Sequence, residues 1–242
     1  MARTIEFDVE ALIGKLDVLQ KVQLPYAGNQ ALKELGFKMR GELAQYMAEV
    51  FDNPVPFTLR SPRYAVDGLT LTVSISKDGA KGQDPARYLY PVSTDDGGGA
   101  KPAYITRFTK AVRGMGVVDS SYYAIPYLQG RGVRVNAYGN MTAGQYTQVL
   151  AGLKAENGRT GGRRGSSWRY FSVPDGRKPA RRGGNLKPGI YRAKSNDLQM
   201  LFGYARKHPT VPGIFDFAGT VERKSQELLP SLLTKALAKA LG

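Results

Sequence analysis

Cysteine is absent from the 242 residues, and histidine and tryptophan occur once each. Without thiols there is no disulfide framework, no thiolate zinc or iron–sulfur centre and no cysteine nucleophile. No stretch approaches the roughly 20 apolar residues of a membrane-spanning helix, and the opening MARTIEFDVEALIG lacks the apolar core of a secretion signal. The chain therefore reads as soluble when made, without a membrane partner. Acidic residues are scarce too: 20 Asp and Glu stand against 35 Lys and Arg, a formal charge of +15. What remains is ordinary globular material, 42% hydrophobic and 23% charged, which excludes wholesale disorder and collagen-like repeats. A compact chain of this length buries roughly 70–75% of its unfolded surface, enough for one large core or two small ones.

The positive charge has an address. Residues 1–52 hold six basic and eight acidic side chains, so the excess lies beyond them. Between Arg159 and Lys187 there are nine cations (Arg159, Arg163, Arg164, Arg169, Arg177, Lys178, Arg181, Arg182 and Lys187) and one acid, Asp175. Six glycines in the same stretch oppose helix and leave the backbone free to follow a partner. Such a density of like charge is expected to be mobile unless a polyanion or an acidic neighbouring subunit meets it. Two readings stay open at this point: a solvated basic loop that promotes solubility, or contact with nucleic-acid phosphate.

Periodicity supplies the organisation. Val9, Leu12, Ile13, Leu16, Leu19 and Val22 predict a helix from Asp8, its N-cap, to about Leu24, interrupted by Pro25. Leu32, Leu35, Met39, Leu43, Tyr46, Met47 and Val50 predict a second helix from Asn29 to Phe51. Leu69, Leu71, Val73 and Ile75 alternate with Thr and Ser, the pattern of a strand with one buried face, bounded by Asp67-Gly68 and Asp78-Gly79. A second strand is expected over Arg87 to Val92, then a helix from Pro102 to Arg113 with Ile105, Phe108 and Val112 inward. Extended segments are expected near Tyr122–Leu128 and Val133–Tyr138, a short helix over Thr142 to Leu153, and strands over Gly189–Lys194 and Leu198–Ala205. A long helix from about Asp216 to Leu241 closes the chain, and Pro230 is expected to bend or break it. The expected class is α+β, a mostly antiparallel sheet flanked by N-terminal helices and a long C-terminal helix. The expected organisation is an N-terminal helical and α+β core over 1–154, a basic Gly/Arg-rich loop over 155–188, and strands and a helix returning to the core over 189–242. Together these make one domain with a long insertion.

Catalytic equipment is thin. His208 precedes Pro209 and reads as a turn or strand end, and no Gly-x-Ser-x-Gly elbow suggests a serine nucleophile. Asp95 and Asp96 lack the alternating oxygen ligands of a calcium loop and read as a solvated turn. The run from Gly158 to Ser167 lacks the Gly-Lys-Ser/Thr ending of a phosphate loop, and no dinucleotide fingerprint occurs. No catalytic, cofactor or metal residue is therefore assigned, and the chain reads as no enzyme.

Trp168, Tyr170 and Phe171 stand among Arg164 and Arg169, the interleaving used by single-strand binders. The same order also fits an ordinary strand fastening the loop to a sheet. In the terminal helix, Leu228, Leu229, Leu232, Leu233 and Leu237 belong to a broad apolar stripe, either packed on the chain's own sheet or forming a subunit interface.

An ordered set of motifs spans most of the chain. A helical N-terminal segment ends in Asn53-Pro54-Val55-Pro56-Phe57-Thr58. Tyr88-Leu89 then precedes a Gly-rich loop, and Lys101-Pro102-Ala103 opens a helix. Pro188-Gly189-Ile190-Tyr191-Arg192, Leu201-Phe202 and the turn Val211-Pro212-Gly213-Ile214-Phe215-Asp216-Phe217 follow before the last helix. In this order the sequence resembles the minor tail, neck and tail-completion proteins of tailed bacteriophages, in the manner of the lambda minor tail protein Z family. The resemblance implies a non-enzymatic virion protein, made in the bacterial host cytoplasm. It implies assembly as a closed ring, hexameric or a multiple, against tail-tube, neck or portal-side proteins, with double-stranded DNA in the channel. The basic stretch 159–187 is longer and more basic than a compact member requires, which leaves neck, tail-completion and short-tail positions open. The alternative expectation is a nucleic-acid-binding protein acting through that stretch.

Overall fold

A computed structural model describes residues 2–6, 18–77, 84–97, 99–103, 105–157, 168–174 and 186–241. In chain order the elements are β1 (Ala2–Glu6), α1 (Val18–Val50), α2 (Pro56–Leu59), β2 (Pro62–Asp67), β3 (Thr70–Ile75) and α3 (Pro85–Leu89), which runs into a 3-10 turn at Tyr90–Val92. There follow β4 (Lys101–Pro102), α4 (Arg107–Gly114), β5 (Tyr123–Pro126), α5 (Ala143–Asn157), β6 (Arg169–Val173), β7 (Gly189–Lys194), β8 (Asp197–Ala205), β9 (Thr210–Val211) and α6 (Phe217–Leu241). The class is α+β, with antiparallel sheets, an N-terminal helix and a long C-terminal helix. The chain forms two compact units: Met1–Lys101 with Val211–Gly242, and Pro102–Thr210. It passes between them at β4 and β9, away from residues 154 and 188, where composition shifts.

The first unit lays α1 on a three-stranded sheet of order β1-β3-β2, with α6 packed against α1. The alternation of β3 does what its sequence period dictates: Leu71, Val73 and Ile75 are buried while Thr70, Thr72 and Ser74 are not. Against them α1 turns Leu32, Leu35, Met39, Leu43 and Met47, all at helical spacing and all buried. The helix comes close to the sheet where it has no side chain. A Cβ at Gly36 would sit 2.4 Å from the Tyr64 ring and one at Gly28 would sit 2.8 Å from Leu69. Phe215, Phe217, Val221 and Leu232 close the core from the C-terminal side, and ion pairs Glu34–Lys235 and Glu42–Lys224 join α1 to α6.

Several expectations are corrected here. Pro25 does not separate two helices: α1 runs through it from Val18 to Val50. Burial of Leu24, Ala27, Ala31 and Leu32 on either side outweighs one missing N–H. The proposed Asp8 cap and the helix turns before Val18 lie outside the described residues, as does Asp78-Gly79. Residues 87–92 are helical, not a strand, because Asp84 accepts a hydrogen bond from the Arg87 amide and Pro85 occupies the first turn, an N-terminal signal that overrides the β-prone side chains. Pro230 does not break α6, whose Leu228, Leu229, Leu232 and Leu233 pack on the core at both sides of it. Strands β1 and β2 were not anticipated.

The second unit is a four-stranded antiparallel sheet of order β5-β8-β7-β6, with α4 and α5 against one face. Phe108 and Val112 of α4, Val149 and Leu153 of α5, and Tyr170, Ile190 and Phe202 of the sheet form its main core. Phe108 and Phe202 stack with centroids 4.1 Å apart. β6, β7 and β8 match the expected strands. The helix anticipated from Pro102 begins instead at Arg107, because Thr106 accepts a hydrogen bond from the Thr109 amide and Pro102 belongs to β4. Residues 133–138 make only the isolated bridge Val135–Met141, since the Asn136 side chain accepts from the Tyr138 and Asn140 amides and folds the segment into a turn.

Candidate polyanion interface

Division into units sorts the charge. The first unit contains sixteen Lys and Arg and sixteen Asp and Glu; the second contains nineteen Lys and Arg against four acids, Asp119, Glu156, Asp175 and Asp197. The whole +15 of the chain therefore belongs to the second unit. Pairing every one of its acids would still leave fifteen cations without a carboxylate of that unit. The ion pairs Arg87–Asp84, Lys101–Asp96, Arg223–Asp216, Lys224–Glu42 and Lys235–Glu34 all lie in the first.

Four arginines of the second unit lie against aromatic rings, and three of them also donate to neutral oxygens. At the start of β5, the Arg113 guanidinium lies 4.6 Å from the Tyr123 ring centroid and its Nε donates to the Tyr122 carbonyl at 2.9 Å. Its Nη2 is buried and has no hydrogen-bond partner. Beside it, Arg206 lies 5.2 Å from the Tyr122 centroid and donates through Nε and Nη2 to the Tyr122 hydroxyl at 2.9 and 2.7 Å. Arg192 of β7 lies 4.3 Å from Trp168 and donates to Gln199 Oε1 at 2.8 Å. Arg169 of β6 lies 5.2 Å from Phe171, its same-face neighbour two residues on. A ring stacked on a guanidinium leaves its charge uncompensated, whereas a nearby carboxylate such as Asp119 offsets part of it.

Both faces of the sheet behind these arginines carry buried side chains. Alternation in β6 sends Tyr170 to the helix-side core and Phe171 and Val173 to the other face, where Tyr191 stacks on Phe171 at 5.8 Å. The Thr109 hydroxyl of α4 contacts both the amide and the carbonyl of Ala124, which caps edge strand β5. Ser172 and the Tyr204 hydroxyl share a hydrogen bond at 2.8 Å, and burial pushes the Tyr204 phenol up to about 12. The Asp119 carboxyl is held below its usual range first by hydrogen bonds from the Ser121 side chain and amide, and further by the field of Arg206 and Arg113.

Of the expected partner-facing cations, Arg169 is exposed on β6 and Lys187 is exposed beside β7, its carbonyl accepting from the Tyr191 hydroxyl. Arg159, Arg163, Arg164, Arg177, Lys178, Arg181 and Arg182 lie outside the described residues. Among the interface leucines, Leu232 is buried, Leu228, Leu229 and Leu233 are half-buried against the first unit's core, and Leu237 is partly exposed. His208 packs edge-on to Tyr123 at 4.5 Å. Asp95 accepts from the Ala218 amide and Asp216 from the Gly219 amide, so both carboxylates cap α6, while Asp96 pairs with Lys101. Among the described residues no group of three or more acids and histidines is placed to hold a metal ion, and no helix is long and apolar enough to cross a membrane.

Sequence reasoning missed Arg113, Arg192 and Arg206. Arg206 and Tyr122 are 84 residues apart, and no local pattern links them. The chain matches no protein-family model, no curated protein and no solved structure.

Proposed function

We propose that this chain is a non-enzymatic structural protein of a phage tail or head–tail neck, a protomer of a closed ring in the virion. Its setting comes from the ordered motifs that resemble tail-completion and minor tail proteins. The observation that carries the reading is the partition of charge: a neutral helical unit with an extensive core beside a unit that concentrates the entire +15. Repeated around a ring, the second unit would make a positive collar toward channel DNA or an acidic neighbouring tail protein. Mass photometry tests this on the purified chain, alone and with the tail tube. Closed oligomers are expected in at least one of the two; monomers in both would overturn it.

A second reading, a nucleic-acid binder acting through 159–187, draws on the same charge. It differs in requiring that deletion of 159–187 abolish binding, although ten or more of the unit's cations lie outside that stretch.

A further inference from the structure

We propose that the loop joining β5 to α5 docks an acidic segment of a different protein, whose apolar side chains rest on Tyr127 and Leu128 and whose carboxylates meet Arg131 and Arg134. This deepens the reading of the positive collar by naming its partner, and it rests on that reading only for its setting in a particle.

The loop presents apolar groups together. Ile125, Tyr127, Leu128 and Val135 are each 43–49% exposed. The Tyr127 amide still donates to the Leu201 carbonyl at 2.9 Å, so the backbone is extended past the end of β5 and Ile125 and Tyr127, two residues apart, share a face. Large apolar side chains clustered in solvent mark a contact surface.

The surface is also built to keep its shape. Beyond Tyr127 the chain turns through bonds from the Gly130 amide to the Tyr127 carbonyl and from the Val133 amide to the Gly130 carbonyl, both at 2.9 Å. It runs close along β8, with glycine at the tight points: a Cβ at Gly130 would sit 2.9 Å from the Met200 carbonyl oxygen, and one at Gly132 would sit 2.5 Å from Gln199 Oε1. Gln145, only 1% exposed, fastens the far end with its whole amide: Oε1 accepts from the Arg134 amide and Nε2 donates to the Gly132 carbonyl, each at 2.6 Å. The Arg134 guanidinium donates in turn to Gln148 Oε1 at 2.7 Å. A loop fixed in this way loses little conformational freedom on binding.

Charge selects the occupant. From Ser120 to Ala155 the sequence contains Arg131, Arg134 and Lys154 and no acid, and both arginines are exposed. Asp197, the one acid of the strand that the loop follows, accepts from the Gln199 side chain. A second copy of this unit fits poorly, since nineteen cations against four acids would meet their like. Nucleic acid fits poorly as well: a base can stack on Tyr127, but Ile125, Leu128 and Val135 offer neither a charge to phosphate nor a ring to a base. Tyrosine and arginine around an aliphatic centre is the composition of a protein interface. An acidic segment with apolar anchors satisfies both the centre and the rim.

Fluorescence anisotropy on the full chain decides the matter with three labelled probes of matched charge: polyglutamate, a glutamate–tyrosine copolymer, and a DNA single strand. Cations elsewhere in the chain attract every polyanion, so the ratio between probes is the readout. The copolymer is expected to bind at least about tenfold more tightly than polyglutamate, the contribution of one well-seated apolar anchor. Tyr127→Ser and Leu128→Ser should each weaken the copolymer by about fivefold or more and leave polyglutamate unchanged. Arg131→Gln should weaken both acidic probes. Circular dichroism verifies that these variants at exposed positions stay folded, and the wild-type ratio needs no variant at all. Equal binding of the two acidic probes, a copolymer preference that survives both serine variants, or a loss of strand binding in Tyr127→Ser as large as the loss of copolymer would each overturn the proposal. Self-association abolished by Leu128→Ser would overturn it too, by giving the surface to a second copy. Rings without a copolymer preference would remove this inference alone; the preference in a permanent monomer would remove the ring and leave it standing.

Discussion

The two units spend their cations differently. In the first, Lys235, Lys224 and Arg223 each meet a carboxylate and help to fasten the surface of a helical scaffold. In the second, Arg113, Arg192 and Arg206 lie against rings, Arg113 and Arg206 with the Asp119 carboxylate in their field, and with four acids to nineteen cations the unit as a whole is left strongly positive. Self-repulsion of that size opposes compactness, so the second unit must hold itself together by its apolar core and its four-stranded sheet.

The cores should therefore be the strongest lever on either side. Leu43→Ala is expected to cost the first unit about 2–5 kcal/mol, because a fully buried residue at the centre of α1 leaves a cavity. Phe202→Ala is expected to cost the second about 3–5 kcal/mol, since it also removes the stack on Phe108. Urea unfolding followed by far-UV circular dichroism measures the first. The emission of Trp168, the chain's single tryptophan, follows the second directly. An unchanged Trp168 midpoint in Phe202→Ala would show that this core does not hold the cationic unit.

Glycine substitutions test close packing in both units at smaller magnitude. Gly152→Ala would set a Cβ 2.2 Å from the Tyr170 ring, and Gly36→Ala one 2.4 Å from the Tyr64 ring. Each should destabilise by about 1–3 kcal/mol despite the better helix propensity of alanine. Gly41→Ala meets nothing within 4 Å and should stabilise α1 by about 1 kcal/mol. The urea midpoints of the three variants give the signs directly.

These contrasts also show what was legible in the sequence. Strand β3 and the buried face of α1 were visible because one buried face imposes a period of 2 or 3.6 on consecutive residues. β6 and β7 are buried on both faces, Tyr170 and Ile190 on one side and Phe171 and Tyr191 on the other, so they were legible from aromatic and β-branched content and not from alternation. The helix at 85–89 was hidden because a single hydrogen bond from the Arg87 amide to Asp84 and a proline in the first turn decide it. Pro25 and Pro230 misled because tertiary burial outweighed a local breaker. For the site, the run 159–187 advertised its charge. The neutral balance of the first unit did not show, because that unit is assembled from both ends of the chain. Arg113 and Arg192 donate to oxygens 9 and 7 residues away without a periodic pattern to mark them, and Arg206 meets Tyr122 across 84 residues, which no window along the sequence contains.

Alkali should strain the second unit through Tyr204. Its phenol is pushed up to about 12 from an ordinary value of 10.0 by burial. The folded state thus favours the protonated form, and the associated stability is fully present below pH 10 and is lost as pH rises from there through 12. Tyr88, Tyr146 and Tyr191 are also raised by burial, so tyrosinate absorbance should show several late phenols, one of them absent in Tyr204→Phe, which should flatten the decline in stability over that window. A decline as steep in Tyr204→Phe as in the parent would assign the alkaline loss to other groups.

The smallest effect separates the units most sharply because its sign, not its size, carries the information. Lys235 sits 3.1 Å from Glu34 across the α1–α6 pair, an exposed contact of the kind that contributes about 0–1 kcal/mol. Lys235→Gln should therefore lower the first unit's urea midpoint slightly at low ionic strength. Lys207 is exposed in the unit where cations outnumber acids nineteen to four, so Lys207→Gln relieves repulsion and should leave the Trp168 midpoint unchanged or slightly raised. Both differences should fade in molar salt, where screening shortens to about 3 Å. If removing Lys207 destabilises the second unit as removing Lys235 destabilises the first, then its positive charge is structural after all, and the surface is not held in readiness for a polyanion.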